Sequence, residues 1–143
     1  MKWLVMTASL LVAGGVAAES PVAARDISGA YARTEPSGGD LRISREGDEW
    51  RISIVAGGLP NGMATAADCY AEAIGKLEGD ALLAHLVPMD NKDMTVDQAV
   101  LDATPHGPIV IQFSGATATV RDQGAANFCG VGSEVGGLYT RVG

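Results

Sequence analysis

Few side chains in this sequence could do chemistry. It has two histidines, His85 and His106, and two cysteines, Cys69 and Cys129. Acyl transfer by serine or cysteine needs a base within hydrogen-bond reach of the nucleophile. His85 falls in the alternating stretch Leu82-Leu83-Ala84-His85-Leu86-Val87, sharing a strand face with Leu83 and Val87, and His106 stands between Pro105 and Gly107. Neither position sets a base beside a nucleophile. Gly130-Val131-Gly132-Ser133 carries its serine after the second glycine, so it is not the Gly-x-Ser-x-Gly elbow of a hydrolase. No catalytic residue can be assembled, and the expectation is that the protein is not an enzyme.

Asp90, Asp93 and Asp97 crowd one segment with Asn91, and oxygen ligands of this kind suit calcium. The glycine and closing glutamate of an EF-hand loop are missing, so the acids read as a solvated loop that caps a short helix. Zinc would need a cluster that two distant histidines and two paired cysteines do not make. Gly57-Gly58-Leu59-Pro60-Asn61-Gly62 is glycine-rich but has no lysine or threonine to hold a phosphate and no helical pattern behind it. No metal and no cofactor is expected. The same stretch also reads as an exposed recognition loop, with Leu59, Asn61 and Met63 as candidate contacts in a partner's cleft.

The second candidate set occurs in duplicate. Ile27-Ser28-Gly29-Ala30-Tyr31-Ala32-Arg33 and Val135-Gly136-Gly137-Leu138-Tyr139-Thr140-Arg141 agree at the glycine, the tyrosine and the arginine. Side chains alternate across a strand, so each copy presents its aliphatic residue, Gly, Tyr and Arg on one face. If these first and last strands lie side by side, they close a sheet into a barrel without free edges. Tyr31, Arg33, Tyr139 and Arg141 would then be able to converge at one barrel end and hold an anion.

Three hairpins supply the strands between. Leu41-Arg42-Ile43-Ser44 and Trp50-Arg51-Ile52-Ser53-Ile54 flank Glu46-Gly47-Asp48; 70–77 and 81–87 flank Glu78-Gly79-Asp80; 108–113 and 116–121 flank Ser114-Gly115. With the two end strands the count is eight. Thr95-Val96-Asp97-Gln98 has the form of a capping box and predicts one short helix near 96–103, stopped by Pro105. The fold class is therefore all-β, a small antiparallel up-and-down barrel of eight strands, with a β-sandwich as the alternative. Its alanine-rich central strands would suit either a small cavity or a tightly packed interior.

Residues 1–18 form a secretory signal peptide, with Lys2, a short apolar run and Val16-Ala17-Ala18 before the cut; cleavage after Ala24 is the second choice. The apolar run is shorter than a membrane span, and the mature chain has none. Residues 19–26 make a mobile leader and 27–143 a single domain, expected as a monomer in the periplasm or outside the cell. In that oxidising setting Cys69 and Cys129 should pair. The bridge closes a loop of about 60 residues, for which chain entropy gives about 4 kcal/mol.

The formal net charge is −7, and every acid lies beyond the signal peptide. Such a surface repels nucleic acid and favours a basic partner. Small exported barrels of eight strands include lipocalins and the bacterial periplasmic inhibitors of lysozymes and proteases. The chain resembles that architecture but carries none of those families' signatures, so no residue role transfers. The leading expectation is a non-enzymatic exported binding protein that engages a basic exported protein, for example a hydrolase, as an inhibitor does. The alternatives are a lipocalin-like carrier of a small apolar ligand and a structural or envelope-stress protein.

Overall fold

The computed structural model describes residues 25–57, 68–92, 94–129 and 133–143. In chain order the elements are β1 (Gly29–Arg33), β2 (Gly39–Glu46), β3 (Glu49–Ala56), β4 (Cys69–Glu78), β5 (Ala81–Leu86), β6 (Met89–Asp90), β7 (Thr95–Val96), α1 (Gln98–Ala103), β8 (Ile109–Ser114), β9 (Thr117–Asp122), a 3-10 turn (Ala125–Phe128) and β10 (Gly137–Val142). Period-two alternation builds the strands. In β2, Leu41 and Ile43 are buried while Asp40, Arg42 and Ser44 are exposed, and β3 buries Trp50, Ile52, Ile54 and Ala56. In β5 it is Leu82, Ala84 and Leu86 that turn inward, which leaves His85 on the outer face.

Eight strands form a closed antiparallel barrel in the order β1-β10-β9-β8-β5-β4-β3-β2. The two similar end strands are neighbours, with Tyr31 opposite Arg141 and Ala32 opposite Thr140, so the sheet closes as a barrel and not a sandwich. Glycines Gly47, Gly79 and Gly115, at φ 65°, 61° and 56°, make the three tight hairpin turns. These turns share one end of the barrel with the start of β1 and the finish of β10, and we call it the turn end. The strand ends that the longer connections 34–38, 57–68, 87–108 and 123–136 join all lie at the opposite end, which we call the loop end.

The barrel interior is filled. Leu41, Ile52, Ile54, Leu82, Ile109 and Ile111 are each 0 % exposed, so no water-sized space touches them. Ala71, Ala73, Ala84 and Ala118 are also buried, and the register sets Ile54, Ile52, Ile109 and Phe113 beside them on the neighbouring strands. Met89, Val96 and Leu101, from the excursion between β5 and β8, join the same core and cover the loop end.

Two local readings differ from expectation. The helix is capped by Asp97, whose carboxylate accepts from the Val100 N–H at 2.9 Å, and not by Thr95. Thr95 instead belongs to β7, which pairs with β6 in a small separate sheet, and its hydroxyl donates to Asp90 at 2.7 Å. A hydroxyl held in a strand pair cannot also cap the next turn. Arg25, within the expected leader, is tied to the turn end by Asp80 at 2.9 Å and by the Gly115 carbonyl at 3.1 Å. Residues 1–24, with both cleavage sites, lie outside the described residues. Among the described residues, no helix is long and apolar enough to cross a membrane.

Candidate functional site

The duplicated motif forms a reciprocal clasp across the β1–β10 seam. Tyr31 Oη donates to the Ile27 carbonyl at 3.0 Å, and Tyr139 Oη donates to the Val135 carbonyl at 2.8 Å, the same step of four residues in each copy. Each arginine crosses to the other copy. The Arg141 guanidinium lies 5.0 Å from the Tyr31 ring and donates to the Ser28 carbonyl at 3.0 Å. The Arg33 guanidinium lies 5.6 Å from the Tyr139 ring and donates to the Gly136 carbonyl at 2.5 Å. Ser28 and Gly136 are themselves equivalent positions.

The motif glycines make room for this crossing. Gly29 and Gly137 have φ of +141° and +131°, and a Cβ on Gly137 would stand 3.0 Å from Arg33 Cδ. The four polar side chains do not converge at one end, however. The two strands run antiparallel, so Tyr31 and Arg141 seal the turn end while Tyr139 and Arg33 seal the loop end. No shared anion site forms from them, and most of the guanidinium donors face carbonyls.

Arg33 is 2 % exposed. Besides Gly136 it donates to the Ser37 carbonyl at 3.0 Å, the Gly57 carbonyl at 3.1 Å and the Ser37 hydroxyl at 3.2 Å. This buried cation therefore ties the loop end together through neutral acceptors. Burial pushes the Tyr139 hydroxyl up to about 12, with the neighbouring Arg33 opposing that shift.

The structure places the other candidates apart. Leu59, Asn61 and Met63 lie outside the described residues. The chain on either side of them is held: Gly57 N–H donates to the Gly38 carbonyl at 2.9 Å, and Cys69 is bridged to Cys129 with Cα atoms 5.1 Å apart. His106 Nδ1 sits 2.8 Å from the Thr104 carbonyl, with its ring edge-on to Phe128 at 5.4 Å. Among the described residues, no hydrogen bond engages the His85 side chain. Of the acidic segment, Asp90 and Asp97 serve local turns and Asp93 lies outside the described residues; among those described, no group of three or more metal-binding side chains forms.

Charge is distributed unevenly between the two ends. At the turn end, Arg25, Arg45, Arg51, Lys76 and Arg141 interleave with Asp26, Glu46, Asp48, Glu49, Glu78 and Asp80. Several of these are matched in pairs, Arg25 with Asp80 at 2.9 Å and Arg51 with Glu46 at 2.5 Å. At the loop end, Glu35, Asp68, Asp90, Asp97, Asp102 and Glu134 are all exposed, and Lys92 and Arg121 are the exposed bases among them. The net charge follows from composition, whereas this polarity depends on which strand ends the topology gathers.

No family model, curated protein or solved structure matches the chain.

Proposed function

We propose that this chain is a non-enzymatic exported binding protein whose acidic loop end docks on a basic protein partner, in the manner of an inhibitor. The observation that carries the reading is the charge polarity: a surplus of exposed carboxylates at one end of a barrel whose other end is balanced. Such a field steers a basic partner to that end and sets its orientation before contact. The filled interior supports a surface partner over an apolar ligand carried inside. The segment holding Leu59, Asn61 and Met63 leaves and re-enters the barrel at this same end, between residues that Arg33 and the Cys69–Cys129 bridge hold in place. A loop with fixed ends can present contacts at low entropic cost.

The test is affinity capture of basic exported proteins at low salt, using the intact mature chain and two charge-reversed variants. Reversal of Glu35, Asp102 and Glu134 to Lys should abolish capture, and reversal of Asp48, Glu49 and Glu78 to Lys should leave it. Raising the salt should weaken the complex. A complex indifferent to the loop-end reversals, or no complex at low salt, refutes the proposal.

A further inference from the structure

We propose that the outer face of β2 and β3 carries a binding site for a small monocarboxylate, centred on Arg42. The register sets Arg42 opposite Ser53 and Ser44 opposite Arg51. All four point outward, as the alternates of buried Leu41, Ile43, Ile52 and Ile54. They form a square with the two arginines on one diagonal and the two hydroxyls on the other. Beyond β2 the wall drops away, because β1 sets the small side chain of Ala30 opposite Arg42. The result is an open groove of about 530 Å³ with Ala30 and Ile43 in its lining.

The charges name the ligand. Arg51 is already answered on both sides, by Glu46 at 2.5 Å and Glu72 at 2.9 Å, and its hydrogen bond holds the Glu46 carboxyl below its ordinary range. Among the described residues, no side-chain hydrogen bond or ion pair engages Arg42. Arg42 is thus the guanidinium of the groove that no carboxylate answers, and a carboxylate on the ligand would supply that partner. The planar fork of a guanidinium matches a carboxylate by two parallel hydrogen bonds. The Ser44 hydroxyl flanks that position, as does Ser53, which also meets the Tyr70 hydroxyl. The Ala30 methyl beside the cation suits a carboxylate with a short hydrocarbon body.

Butyrate is the probe, titrated into the full mature protein while side-chain and backbone amide signals are followed by NMR. The Arg42 Nε–H and the amides of Ala30, Ser44 and Ser53 should shift saturably. Butyramide, which has the same shape without the charge, should produce no such shift. Phosphate should bind more weakly than butyrate. Arg42→Gln should weaken butyrate about tenfold or more, the loss expected for a charge-assisted pair, and Arg121→Gln should leave it within about twofold. Arg121 is also exposed but does not line this groove, so equal losses in the two variants would mean general attraction and overturn the site. The absence of a saturable shift would do the same, and tighter binding of phosphate would overturn the carboxylate assignment.

Discussion

The two ends of the barrel are sealed by the same pair of residue types, yet the seals differ. At the turn end Arg141 is exposed, and it reaches Tyr31 Oη at 2.7 Å and the Ser28 carbonyl at 3.0 Å. At the loop end Arg33 is buried and binds three carbonyls from three separate segments, at Ser37, Gly57 and Gly136. The turn end needs little else, because glycine turns join its strands two by two. At the loop end the strands are joined by longer connections instead of tight turns, and a buried cation and a disulfide tie these connections to one another. One motif therefore serves as trim at one end and as a tie at the other, and the difference comes from what the neighbouring chain leaves unsatisfied.

The largest effect should come from the loop end's covalent tie. Removing it with paired Cys69→Ala and Cys129→Ala substitutions should destabilise the fold by about 4 kcal/mol, read by denaturant unfolding. Unchanged unfolding would mean that the loop end does not depend on the bridge. Arg33→Met comes next, at about 3 kcal/mol, since it leaves buried carbonyls without donors. The same change at Arg141 should cost about 1 kcal/mol, because water replaces its bonds. Equal losses at the two sites would erase the distinction drawn between the ends.

The smallest effect is a pH dependence. An unfolded chain ionises its tyrosines near pH 10, whereas native Tyr139 holds its proton up to about 12. The native state binds the extra proton in that window, so its stability contribution is whole below pH 10 and falls as pH rises toward 12. Tyr139→Phe should be less stable than the parent by about 1 kcal/mol at pH 8, for the lost bond to Val135. That gap should narrow as unfolding is repeated at pH 10 and 11. A gap constant with pH would place the Tyr139 hydroxyl in contact with water.

Much of the barrel was legible because its signals are local. Leu41 and Ile43, then Ile52 and Ile54, alternate with polar residues, and Glu-Gly-Asp twice marks a turn that glycine alone makes without strain. The match of 27–33 to 135–141 even indicated the closing pair. What stayed hidden was set by non-local contacts. Nothing in the order of residues tells that Arg33 is buried and Arg141 exposed, since the two copies are alike; the difference lies in Ser37 and Gly57, which the fold brings in. Asp97 took the cap from Thr95 because Thr95 pairs with Asp90 across a strand too short to read. The groove at Arg42 was missed for the same reason: a square of Arg and Ser on two strands exists only once their register is known.

The antiparallel seam also decides how the molecule can be tethered. Ala30 lies opposite Val142, so the first and last strands leave the barrel together at the turn end. The described chain therefore begins at Arg25 and finishes at Gly143 on the balanced end, opposite the carboxylate-rich one. A handle joined through Gly143 would start from the end of the barrel that lies opposite the proposed docking surface.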